Sequence, residues 1–312
     1  MIIWYLFPIL MGASIASQSA INSRLTRYTL SPFLSSAFSF FVGLVFLLCL
    51  LLINREVPFI AFNELTSLPW WVWIGGFTAA FALTVNVLLF PILGSMQTSV
   101  LPILGQLLMG VIIDQFGLFY LSQNILNTRK LLGLMILFIG TLMATGVLAK
   151  SDRRNLPTKE TKFKFWWQML GIFAGILIAI QSATNAYLGR EIGSPLQASF
   201  ISFNIAFLVT VFICFITKVK FQTAIDTFKK AKGEEWVFTG GILGGSFVLV
   251  SSWLVPLIGT GNVIVISLFG QLVASTVIQQ IGLFRSEVKK VKVGQLIGLL
   301  LMLIGIIIIR LK

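Results

Sequence analysis

The chain has 312 residues, of which 57% are apolar and 11% charged, and its formal net charge is +13. A soluble globule carries about a quarter charged residues, so this chain has too little polar surface to coat aqueous cores and takes lipid as solvent for most of its length. It has no histidine, which removes the usual metal ligand, and its two cysteines, Cys49 and Cys214, neither form a disulfide framework nor show metal-site spacing.

A spanning helix needs about 20 mostly apolar residues. Such runs occur at 2–22, 33–53, 70–92, 96–116, 131–149, 167–187, 196–217, 236–257, 262–282 and 293–310. The first is diluted by Ser14, Ser17, Gln18, Ser19 and Asn22. No basic stretch precedes it, so it reads as a retained span rather than a cleaved leader. Between the fifth and sixth runs lies a short, polar, basic segment, 151–165, containing Pro157. It divides the chain into 1–150 and 166–312, and it reads as a topology determinant in water, with anionic headgroup binding as the alternative.

The two parts are copies of one another. Shifted by 163 residues, the stretch 15–22 falls on 178–185, Arg27 on Arg190, and Ser31-Pro32 on Ser194-Pro195. Shifted by 165 residues, Gly75-Gly76 meets Gly240-Gly241, Pro91 meets Pro256, and Gly105-Gln106-Leu107 meets Gly270-Gln271-Leu272. Chance does not hold such a register along a whole chain. An odd span count per copy turns the second copy upside down, and the basic residues test this. Loops after the odd-numbered spans hold 17 of the 23 lysines and arginines. The positive-inside rule therefore places that face in the cytoplasm and both termini outside. The expected architecture is an all-α integral membrane protein, ten transmembrane helices arranged as two inverted five-helix repeats.

Inverted repeats place a solute site near the midplane between the halves. The candidates are polar groups inside spans that recur in both copies. Gln18 and Asn22 share a helix face, as do Gln181 and Asn185. Amides in hydrocarbon either bond between helices or line a wet cavity, and recurrence favours the cavity. Gln106 and Gln271 lie on stripes of small and polar residues, Thr98-Pro102-Gln106-Gly110-Asp114 and Ser267-Gln271-Ser275-Gln279, which are close-packing faces or pore walls. Asp114 is the one carboxylate expected inside a span and so the candidate for proton coupling, with Gln279 as its counterpart. Arg27 and Arg190 recur on opposite faces, as gates or anchors, with headgroup snorkelling as the alternative. Paired small residues, such as Gly240-Gly241 with Gly244-Gly245, read as helix-packing faces, and Pro32 and Pro195 as first residues of helices.

No HExxH, Walker A or Rossmann pattern occurs, and without histidine a Ser-His-Asp triad is excluded. No metal, cofactor, nucleic acid or enzymatic chemistry is expected. The expected partners are the bilayer, a small-molecule substrate and protons.

The motif Gln18-Ser19-Ala20-x-Asn22-x-x-Leu25 with Ser31-Pro32 and Ser39-Phe40, followed by Gly105-Gln106-Leu107 and Asp114-Gln115-Phe116-Gly117, resembles the YdcZ-type family of the drug/metabolite transporter superfamily. The resemblance spans both copies, as in the fused, antiparallel two-domain form. The second copy departs at Ala206, where the first has Gly43, and at Gln279, where the first has Asp114. The resemblance implies a bacterial inner-membrane exporter with a ten-helix basket around a central cavity. It implies a substrate range running from amino acids and nucleotide-related metabolites to lipophilic cations. The expected function is secondary active export of a small metabolite or drug-like solute by alternating access, coupled to protons. An uncoupled facilitator or uptake carrier and a membrane-embedded interaction or regulatory subunit are the alternatives. With a single embedded acid and few other charges, the sequence leans towards neutral, zwitterionic or cationic substrates.

Overall fold

Apolar runs of this length satisfy their backbone polar groups as helices, and the computed structural model, which describes residues 3–58, 67–144, 158–286, 288 and 290–310, is all-helical there. The helices are α1 (Ile3–Thr29), α2 (Pro32–Ile53), α3 (Ile74–Phe116), α4 (Thr128–Ala144), α5 (Thr158–Glu191), α6 (Pro195–Ile216), α7 (Phe221–Lys230), α8 (Gly240–Ile258), α9 (Thr260–Ile281) and α10 (Val293–Arg310). Short 3₁₀ turns, Trp70–Trp73 and Glu235–Phe238, lead into α3 and α8. Among the described residues, six stretches are long and apolar enough to cross a membrane: Pro32–Ile53, Trp70–Leu89, Phe165–Glu191, Pro195–Ile216, Glu235–Ile258 and Thr260–Ile281. Leu101–Phe116 and Val293–Ile309 are shorter apolar helices.

The recurring Ser-Pro pairs start helices in both copies. Ser31 accepts the amide of Leu34 at 3.4 Å and Ser194 that of Gln197 at 3.0 Å, each with proline at the first helical position.

The close helix crossings also repeat. A Cβ on Gly12 of α1 would collide with the Ser267 carbonyl of α9, and one on Gly270 with the Ile9 carbonyl. In the equivalent crossing, likewise between the copies, Gly175 of α5 abuts the Pro102 carbonyl of α3, and Gly105 abuts the Ile172 carbonyl. Only glycine admits backbones this close. Between α4 and α10, Gly133 faces Gly305 while Gly140 faces Gly298, so these equivalent helices run antiparallel.

Three features differ from the sequence expectation. No loop separates the third and fourth apolar runs, since α3 is helical through 43 residues. Straight, it would measure about 65 Å, twice the hydrocarbon thickness. Yet Leu89 and Leu101 both flank the Cβ position of Gly171, at 3.2 and 3.0 Å. Twelve residues of straight helix would separate them by about 18 Å, so α3 folds back on itself between them. The side chain of Pro91 lies outside the described residues. In the second copy the corresponding junction breaks at Gly259 (φ 86°, ψ 152°), a backbone conformation that L side chains rarely adopt.

Secondly, α5 begins at Thr158, inside the segment read as linker, while residues 151–157 lie outside the described residues. Thirdly, α7 is an additional amphipathic helix in the basic loop before α8, its Phe228 stacked on Phe238 at 4.9 Å.

Candidate functional site

A cavity of about 600 Å³ lies between the copies, walled by α1, α2, α3, α5, α6, α8 and α9. Gln18 and Gln181, and Gln106 and Gln271, line it as equivalent pairs, one amide of each pair from each copy. The small residues of α8 seat the amides of α1, with Gly240 against the Asn22 Oδ1 and Gly244 against the Gln18 amide. Gly75 stands in the same relation to Asn185.

The two asparagines are placed differently. Asn22 lines the cavity, accepts from the Ser39 hydroxyl at 2.8 Å, and keeps a buried Nδ2 with no hydrogen-bond partner. Asn185 donates to the Ser202 hydroxyl at 3.1 Å and does not line the cavity. Both asparagines are 1% exposed and each keeps one buried amide atom without a partner, so they differ in cavity contact and not in burial.

The ends of the cavity differ in the same sense. Arg24, Arg27 and Arg285 line one end. There Arg24 binds Glu234 through Nε at 2.8 Å and Nη2 at 2.9 Å, and Arg285 also pairs with Glu234. These charge-assisted hydrogen bonds, chiefly from Arg24, hold the Glu234 carboxyl well below the ordinary range, at about 2. Towards the opposite end, beyond the lining, the rings of Trp71, Phe119, Tyr120 and Tyr187 pack together, Trp71 on Tyr187 at 4.7 Å and Tyr120 on Tyr187 at 5.8 Å. Arg190 closes this cluster, donating from Nη1 to the Tyr120 carbonyl at 3.1 Å with its guanidinium 5.1 Å from the Tyr187 centroid.

Asp114 stands apart from this cavity. Its Oδ2 accepts the amide of Gly261 at 3.0 Å, in the first turn of α9, where the partial positive charge of a helix start favours an anion. Its Oδ1 is buried without a partner. Of the polar stripes, Thr98, Pro102 and Gln106 of α3 and Gln271, Ser275 and Gln279 of α9 line the cavity, whereas Gly110 packs against Gly261 and Ile264.

Several lining residues were not singled out from the sequence. Asn86 lines the cavity with an unpartnered Oδ1. An amide inside an apolar run was its signal, but its counterpart is Ser251, so it does not recur in kind. Arg24 and Arg285 acquire their place through Glu234, which no local pattern reveals.

The fold and site define a helical membrane protein with a solute-sized, largely apolar cavity, bearing paired amides, between two related halves. The sequence matches, over residues 3–143 and 166–308, the family described as "Putative inner membrane exporter, YdcZ". The chain belongs to this family, which is one of transporters of the drug/metabolite transporter type rather than of enzymes. With its apolar helices, that makes it a multi-pass inner-membrane protein. No curated protein shows significant similarity to it. A solved crystal structure is similar with a TM-score of 0.64 and 16% identity, covering 97% of this chain and 96% of that chain. At that identity the likeness concerns the fold.

Proposed function

We propose that the protein is a secondary active exporter of a small metabolite or drug-like solute. Ten spans form two inverted five-helix repeats that rock about a central site, with the Arg24–Arg285 end cytoplasmic and both termini outside. The observation that carries this reading is the cavity, lined by equivalent glutamines from both copies and, among the described residues, reaching Arg24, Arg27 and Arg285 at one end. Of this equivalent pair, Asn22 lines the cavity and Asn185 does not, as expected when one half of an inverted pair is open and the other shut. Gln18, Asn22, Gln106, Gln181 and Gln271 hold the solute, Asn185 joins them in the opposite state, and Arg27 and Arg190 act as the two gates.

Proton coupling is assigned to Asp114 through the contact between halves rather than through the solute. Its carboxylate ties α3 of the first copy to the start of α9 in the second. Protonation removes the charge that favours the helix start and weakens that tie. The test is flux in proteoliposomes containing a pH dye, challenged with pooled metabolites, wild type beside Asp114→Asn. Gradient collapse in wild type but not in Asp114→Asn supports coupling at this residue. Equal solute flux without proton movement favours the facilitator instead. Flux untouched by leucine at Gln18, Gln106 and Gln181 together sinks the cavity as the path and leaves the scaffold reading.

A further inference from the structure

The lining of the cavity carries a charge pattern that the transport reading does not use. Arg24, Arg27 and Arg285 face it, while one carboxylate, Glu234, is shared by Arg24 and Arg285. Arg27 has no ion-pair partner among the described residues. Among these residues no carboxylate lines the cavity, and Asp114, the acid on which the sequence-based leaning towards cations rested, is engaged at the start of α9. Gln18, Gln106, Gln181 and Gln271 add amide N–H donors to the wall. The remaining surface includes Phe40, Phe203, Phe247 and Leu272. A desolvated cation in such a site would lack a counter-charge, whereas an anion would find donors and positive potential.

We infer that the site takes an oxyanion joined to an apolar body, a carboxylate or phosphate monoester of metabolite size, and rejects organic cations. This deepens the transport reading and rests on the cavity being the solute path. The oxyanion could come from a solute or from a lipid headgroup, and the two respond differently to added phosphatidylglycerol.

The test measures charge selectivity at the cavity itself, independently of transport. In a Cys49→Ala, Cys214→Ala background, Ser23→Cys places a thiol on the wall of α1, and Ser275→Cys is a second reporter on α9. Purified full-length protein in nanodiscs of neutral phosphatidylcholine is labelled with the anionic sulfonatoethyl or the cationic trimethylammonioethyl methanethiosulfonate. The anionic-to-cationic rate ratio should exceed that of free 2-mercaptoethanol by about tenfold, the low end of electrostatic focusing in clefts, and fall about threefold with Arg27→Gln. Phenyl phosphate should slow both reagents, and phenethylammonium should slow neither. A ratio at or below the free-thiol value at both reporters, or protection by phenethylammonium instead, overturns the inference. So does a thiol that phenyl phosphate never protects but that phosphatidylglycerol, added to the nanodisc, does, since the oxyanion would then be a headgroup. If the ratio holds while flux is absent, the transport reading fails and the anion preference stands.

Discussion

A buried amide contributes through what it bonds, and the two asparagines provide a matched pair. Asn22 accepts from Ser39 and Asn185 donates to Ser202. Each pair should couple by about 1 kcal/mol in a double-mutant cycle of alanine substitutions, read as unfolding free energy in detergent. The stability effects should match, but Asn22→Ala, which alone alters the cavity wall, should weaken solute binding more than Asn185→Ala. Equal effects on binding would mean that Asn22 is only structural. At the rim, Glu234 gives a pH signature. Because its carboxyl is held at about 2 by Arg24, Tyr28 and Arg285, its contribution is complete above the ordinary carboxylate range and disappears as pH falls towards 2. The Tm difference between wild type and Glu234→Gln should be flat from pH 8 to about 5 and close below that. A gap that widens on acidification would contradict the ion network.

For single helices, most of the packing was legible in the sequence because close approach needs glycine, and glycine recurs in register. Gly105 and Gly270 stood in register in the sequence and lie at the crossings, where they are joined by Gly12 and Gly175, an equivalent pair that was not singled out. The reversal within α3 was legible as two apolar runs, 70–92 and 96–116, about Gly94-Ser95, whose Gly94 corresponds to Gly259. What the sequence could not convey was that Leu89 and Leu101, on either side of it, pack on the same glycine, Gly171. The glycines give a stability prediction with an internal control. Gly175→Leu drives a side chain into the Pro102 carbonyl, a backbone atom that cannot rotate away, and should cost about 1–3 kcal/mol or more. Gly294→Ala meets nothing within 4 Å and lies in the first turns of α10, so it should be neutral or stabilise by about 0.4–1 kcal/mol. Thermal unfolding of the two variants in the same detergent separates a packing role from a general intolerance of change.

Across the whole molecule, the duplication was readable, and so were single departures such as Asp114 against Gln279, but not what those departures do. That depends on contacts between residues far apart in sequence. Asp114 meets Gly261 across 147 positions and Arg24 meets Glu234 across 210. If the halves exchange roles as proposed, the difference between them points to the second state. Tyr120 corresponds to Arg285, Phe119 to Phe284 and Trp71 to Trp236, and the ring pair Trp236–Phe284 persists at 5.7 Å on the open side. When the open end shuts, Arg27 should therefore donate to the Arg285 carbonyl as Arg190 now donates to that of Tyr120, while Tyr120 and Tyr187 part. The correspondence stops at Tyr187, whose counterpart is Arg24, so one end closes on aromatic rings and the other on an ion network. In the cysteine-free background, Tyr120→Cys with Tyr187→Cys, bridged by a short bifunctional reagent, should stop flux while Ser23→Cys stays as reactive as before. Bridged protein that still transports at the unbridged rate would show that these rings do not separate during the cycle.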